Sequence, residues 1–281
     1  MMPGFKYNPS ATPASVPFHG RKDQQMKTVK QLSLCACALA ILMYSCGKDK
    51  GTTPVGGAQA NTYEADTLAT KAILDANSIP GISPTDAICF RKDQRPVGTG
   101  PYRVVDIRLP NKSISVIPAQ IGQLTALENI WLDSNTITAL PAEIGNCKAL
   151  KFVDLSKNNL TTLPEQIGGC TALTTLNLSI NSISSLPAGF WSMTALTTVH
   201  LDHNALAALS PQVSSLVKLQ MLDIRNNQLT DLPSSITGLD SLQSVLVDNN
   251  KLCNVAQAVA DFVSIRSREG DTTWKTTQAC P

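Results

Sequence analysis

Histidine and aromatic side chains are scarce in this chain. Its 281 residues hold three histidines, at positions 19, 200 and 203, and Phe, Trp and Tyr together make up 5%. So little imidazole leaves no His-Glu-x-x-His pair and no plausible catalytic triad, and neither a nucleophile elbow nor a Gly-rich phosphate loop is present. No enzyme activity and no cofactor are expected. Charge of one sign is lacking too: 23 basic residues face 21 acidic ones, and 18 face 20 once residues 1–45 are set aside. No Lys/Arg run follows residue 45, which argues against nucleic-acid binding. The longest apolar run, Leu32 to Tyr44, falls short of the roughly 20 residues that span a bilayer. None of the eight cysteines falls in a credible metal-ligand spacing.

What the chain does have is a period. Val104, Leu127, Leu150, Leu173, Leu196, Leu219 and Leu242 follow one another at steps of 23 residues, with no insertion. A fixed period in this range marks stacked repeat units. One unit carries Leu150, Val153, Leu155, Asn158, Leu160, Leu163, Pro164, Ile167 and Gly168; the next carries Leu173, Leu176, Leu178, Asn181, Ile183, Leu186, Pro187 and Phe190. The unit resembles the leucine-rich repeat family in its typical 23-residue form, over residues 101–252 as seven repeats. The resemblance implies an α/β fold: a right-handed solenoid, or horseshoe, with a parallel β-sheet on its concave face. It also implies binding rather than catalysis.

Physical reasoning reaches the same architecture. Apolar fourth and sixth positions separated by polar ones give the alternation of a half-buried strand. Seven such strands, about 4.8 Å apart, make a sheet roughly 30 Å long. The column Asn135, Asn158, Asn181, Asn204, Asn227 and Asn250 falls where the strand turns inward. A buried amide must satisfy its donors and acceptor, so a ladder of bonds to neighbouring backbone is expected. Lys112 replaces this asparagine in the first repeat, as suits an atypical end unit. Pro141, Pro164, Pro187 and Pro233 fit a bend and not a central strand. The fifth repeat departs with Leu209-Ser210-Pro211, a local shift on the convex side.

The ends read differently. Residues 1–25 are polar and unpatterned, and translation is expected to begin at Met26, which makes them an upstream extension. Residues 26–45, basic then apolar, have the size of a signal peptide. Tyr44-Ser45-Cys46-Gly47 resembles a bacterial lipoprotein signal, and the stretch to Lys50 resembles lipoproteins of the Bacteroidetes group. Met43 and Tyr44 depart from the commonest form of that signal. The resemblance implies a lipid on Cys46 and a place on the outer membrane, periplasmic or surface-exposed. Residues 46–60 read as a flexible tether and 61–100 as an N-terminal cap. Within that cap, residues 62–77 read as a helix with an apolar stripe of Ala65, Leu68, Ala69, Ala72, Ile73 and Ala76, stopped by Asn77 and Pro80-Gly81.

Residues 253–281 read as the C-terminal cap. Asn254 with Gln257 resembles a capping box, and Val255, Val259, Phe262 and Val263 form the buried helix face. A Cys253–Cys280 disulfide is expected to tie this cap down, which an exported protein permits; closing that loop contributes about 3 kcal/mol. Cys147 and Cys170 occupy the same position in consecutive repeats. They could pair across one strand spacing, but small buried hydrophobes are the favoured reading. Cys89 has no evident partner.

Alternation also assigns the open face. Trp131 and Phe152 stand on adjacent strands as candidate partner anchors, unless the N-terminal cap or a flanking loop covers Trp131. Asp154, Asn177, His200 and Asp223, with Asp202 and Arg225 beside them, form a polar group that could read a partner. The alternative for this group is an ordinary solvated face with a weak Asp202–Arg225 pair. His200 and Asp202 point to one face, but His203 is expected at the turn beyond their reach, and no metal site is expected. The reading is a membrane-anchored binding module for a partner protein; a glycan-binding or adhesin role is the alternative, and a structural envelope lipoprotein a third.

Overall fold

The computed structural model describes residues 60–79, 88–92, 102–267 and 273–279, all in the second of the chain's two units, Thr53–Pro281. Strand β1 (Ile88–Lys92) pairs antiparallel with β2 (Tyr102–Arg108). Six further strands follow in parallel: β3 (Asn129–Trp131), β4 (Phe152–Asp154), β5 (Thr175–Asn177), β6 (Thr198–His200), β7 (Met221–Asp223) and β8 (Ser244–Leu246). The sheet keeps sequence order from β1 to β8. Each strand meets the next at a register of one repeat, so Asp106, Asn129, Phe152, Thr175, Thr198, Met221 and Ser244 form one row.

In every repeat the fourth-position residue of the strand is buried and its neighbours on the third are not, except Asp106. Behind the sheet, five-residue 3-10 helices return the chain. Ile121, Ile144, Ile167, Phe190, Val213 and Ile236 point from them into the core, facing the strand residues. Proline sets the entry to five of the six. Pro118, Pro141, Pro164, Pro187 and Pro233 hold φ between −76° and −65°, the range the ring imposes. The fifth-repeat departure has a local cause. Ser210 takes the cap position, its hydroxyl accepting from Gln212 N–H, and Pro211 becomes the first helical residue, a favoured place for it.

The 3-10 turns stack so closely that side chains do not fit between some of them. A Cβ on Gly145 would lie 2.1 Å from the carbonyl oxygen of Gln166. Cys147 and Cys170 are buried and unpaired as thiols, each donating to a carbonyl at 3.3 Å, of Ile121 and Ile144. Burial pushes both up to about 12, with Cys170 adding to the effect at Cys147. They are inert packing residues.

The asparagine ladder is present in all six expected places. Asn158 accepts from Ile137 N–H at 3.0 Å and donates to the carbonyls of Leu132 and Leu155 at 2.9 and 3.0 Å. Asn135 accepts from both Lys112 and Ile114 N–H groups, so the first turn is held although it lacks its own asparagine.

Helix α1 (Ala60–Ala76) leans on the first repeat, with Ala69 and Ile73 of the expected stripe buried and Leu68 and Ala76 turned out. Its buried face is Asp66, Ala69, Thr70, Ile73 and Leu74, while Leu68 is 58% exposed. The carboxylate of Asp66 rotates the helix. It accepts from Arg103 Nε at 2.9 Å and Nη2 at 3.2 Å, and from the Val104 backbone N–H at 2.9 Å. Asn77 then stitches helix to repeat, accepting from Ser115 and Val116 N–H and donating to the carbonyls of Ile73 and Val116. Strand β1, on which Cys89 lies, was not expected from the sequence; it covers the hydrogen-bonding edge of β2.

At the other end, helix α2 (Gln257–Arg266) buries Val259, Phe262 and Val263 as expected, with Val255 partly buried. The capping box does not form. Ala256 is the cap residue, Asn254 lies too far upstream, and Gln257 donates to Asp261 instead. Trp274 is buried and its Nε1 donates to Ser264 Oγ at 3.2 Å. Cys280, the expected partner of Cys253, lies outside the described residues, as do the signal segment, Cys46 and the tether. Among the described residues no helix is long and apolar enough to cross a membrane.

Candidate functional site: the open face of the sheet

Three rows of side chains stand on the open face, at the third, fifth and seventh positions of each repeat. At its N-terminal end they build a ribbon. The Arg108 guanidinium lies 4.4 Å from the Trp131 ring centre. The Trp131 and Phe152 centroids are 5.2 Å apart, with the planes tilted by 33°. Both rings are half-buried, so the described part of the N-terminal cap does not cover Trp131 completely. Arg108 also donates through Nη2 to Asp106, which is buried and accepts from Asn129 Nδ2 as well. The Nε of Arg108 is buried without a hydrogen-bond partner. Cation, indole and phenyl ring thus follow one another across β2, β3 and β4, the guanidinium over the indole and the two rings tilted against each other.

Further along, the fifth-position residues serve their own backbone first. One side-chain oxygen of Asp154 accepts from Ser156 N–H at 2.9 Å, that of Asn177 from Ser179 N–H at 3.1 Å, and that of Asp223 from Arg225 N–H at 3.2 Å. This local bond bends the strand into its turn. Among the described residues nothing bonds the second oxygen of Asp154. Asp223 differs, being 2% exposed, because Arg225 folds back and grips it through Nε and Nη2.

That grip replaces the weak Asp202–Arg225 pair of the alternative reading. Arg225 bonds Asp223, and this hydrogen bond is the main reason its pKa is raised, against the opposing effect of burial. Asp202 is served from other directions: Ser179 Oγ donates to one oxygen, and His203 Nδ1 lies 2.9 Å from the other. Burial alone would raise the Asp202 pKa. The bonds from Ser179 and His203, with the nearby Arg225 charge, outweigh it and hold the carboxyl below its ordinary value. His203 is therefore within reach of Asp202 after all, contrary to the sequence expectation.

His200, Asp202 and Asp223 also converge, with ligand atoms all within 4.8 Å of one another. Asp223, already grouped with His200 and Asp202 in the sequence, stands beside His200 on the adjacent strand. Arg225 already supplies the positive charge there.

A further column escaped sequence reading. Asn111, Ser134, Lys157, Ile180, His203, Asn226 and Asn249, the eighth position of every repeat, all adopt φ between 52° and 58°. Asparagine and histidine tolerate this left-handed region, whereas a β-branched residue there is strained. Ile180 is in that state and 45% exposed at the rim of the open face.

Comparison with known proteins bears on the same residues. The family model described as Leucine rich repeat matches three overlapping stretches, 125–183, 153–206 and 194–252. No curated protein matches the chain. Among solved structures, the Leptospira interrogans leucine-rich repeat protein LIC12759 is similar at 29% identity over 52% of this chain and 37% of that one, with a TM-score of 0.49. The plant peptide hormone receptor RGFR1, solved in complex with RGF2, is similar at 30% identity over 53% of this chain and 24% of that one, with a TM-score of 0.47. The chain thus spans less than half the length of either protein. The family model runs through consecutive repeats whose strands and asparagines keep one register, so residues 125–252 match the leucine-rich repeat family.

Proposed function

We propose that this protein is a non-catalytic, membrane-anchored extracytoplasmic module that binds a partner protein through its concave face. The observation that carries this reading is the ribbon of Arg108, Trp131 and Phe152 on an otherwise regular and open sheet. Half-exposed aromatic side chains on a rigid surface supply large contact area at small entropic cost, as interface anchors do. A protein is favoured over a glycan because Arg108 lies over the Trp131 ring that a sugar would stack on.

Binding is tested by screening the full chain against envelope proteins of its host and against a glycan array, with Trp131→Ala and Phe152→Ala beside the convex-side variant Glu143→Ala. A protein ligand lost with either aromatic and retained by Glu143→Ala supports the reading. A glycan ligand, or a protein ligand indifferent to both rings, overturns it. Anchoring rests on the resemblance of residues 26–46 to a lipoprotein signal, and the mass of the mature protein tests it. Lipid on Cys46, absent from Cys46→Ser, is the expected result; an unlipidated chain retaining residues 26–45 overturns the anchor. An exported location also suits a Cys253–Cys280 bond, which peptide mapping without reductant would reveal.

A further inference from the structure

We infer that the concave face takes a basic, extended polypeptide segment lying across the strands, with an apolar side chain seated at Trp131 and Phe152. The inference rests on the concave-face reading and adds the chemistry of the partner. In repeats two to seven the three open rows contain Asp133, Asp154, Asp202, Asp223 and Asp248 against one strong base, Arg225. The face is therefore acidic in a chain whose total formal charge is +2. Arg225 is bonded to Asp223, and its single charge also bears on Asp202 and Asp248. Among the described residues Asp133, Asp154 and Asp248 pair with no Lys or Arg; their contacts are Ser134 Oγ, Ser156 N–H and Thr277 Oγ1.

Neighbouring bases do not cancel this. On one flank Lys151 is paired with Glu128, and Arg108 at the N-terminal end is paired with Asp106. In the turn column Lys157 is the single lysine. The excess negative charge is thus local to the open face, and the apolar seat lies at one end of it. Like charges facing one another on adjacent strands repel, and a ligand of opposite sign relieves that repulsion while it adds affinity and steers encounter.

Geometry sets the spacing of the ligand. From β3, which carries Trp131, to β4, which carries Asp154, and to β8, which Asp248 follows, is one and five strand steps, about 5 and 24 Å. An extended chain covers those distances in about one and seven residues. The ligand should therefore carry Lys or Arg about one and about seven residues from its apolar anchor.

The test is selection of random-sequence peptides on the full chain, followed by affinity measurements on the enriched sequences. The expected result is a tryptophan, phenylalanine or leucine with Lys or Arg at those distances. Affinity should fall about tenfold or more between about 0.1 and 0.5 M salt, and by a similar factor in the Asp133→Asn, Asp154→Asn, Asp248→Asn triple variant. Neutral or acidic peptides that depend on Trp131 would overturn the basic partner and leave concave-face binding standing. Peptides indifferent to both Trp131 and the three aspartates, or no enrichment at all, would overturn both.

Discussion

Asn158 joins the backbone of two successive repeats with one amide, and its removal exposes what the ladder does. Alanine at 158 leaves Ile137 N–H unpaired in a buried place, while the carbonyls of Leu132 and Leu155 keep the amides of Asn135 and Asn181. A buried group left unpaired costs about 1–3 kcal/mol. Asn158→Ala should therefore lower the stability measured by urea unfolding by about 1–3 kcal/mol. Ile180 gives the opposite sign. Its φ of 57° is strained for a β-branched side chain, by about 1–2 kcal/mol, so Ile180→Asn should raise the unfolding midpoint. A fall instead would mean that the exposed side chain supports its neighbours. Asp202 contributes through ionisation. Its folded pKa is lowered, so its contribution is present above the ordinary carboxylate range and is lost as pH falls through the folded value. The stability difference between the protein and Asp202→Asn should shrink below about pH 4, read from thermal midpoints across pH. The ladder was legible beforehand because a buried amide has few ways to be satisfied and the column repeats. The left-handed column was not, because Lys157 and Ile180 carry no side-chain signature of it.

At the scale of elements, strands and 3-10 turns were set by apolar spacing and proline, whereas the caps were legible only in outline. The stripe expected on α1 is only half right: Ala69 and Ile73 are buried, but Asp66, a carboxylate with three donors, shifts the buried face away from Leu68. Asp66→Ala should leave Arg103 without its partner beside the first strand and cost roughly 3 kcal/mol. Hydrogen exchange should then rise first in β2 and in residues 114–117; equal acceleration in all repeats would contradict a local role for the cap. The side chains of the open face were assigned correctly to one surface by alternation. Their pairings were not, because Arg225 can reach Asp223 two residues back as easily as Asp202 one strand away. Strand period fixes direction but not the choice among flexible partners.

For the molecule as a whole, the 23-residue step makes each repeat interchangeable in place. Removing residues 150–172 brings equivalent positions together, so the shortened chain should still unfold cooperatively, with a smaller dependence on urea. Removing half of that segment breaks the register of every strand beyond it and should abolish cooperative unfolding. The deletion also shortens the acidic face by one strand step, about 4.8 Å, and removes Phe152 and Asp154 from it.

Every asparagine of the ladder reaches backward: Asn181 serves the turn of Leu160, Asn204 that of Ile183, Asn227 that of Leu206. A turn is thus completed by a residue that the ribosome adds 21 positions later. During synthesis the growing chain always ends in one unfinished coil, whose amides wait for a side chain not yet made. A stalled or truncated product is flawed at its last coil wherever it stops, a standing mark by which quality control could tell partial chains from whole ones.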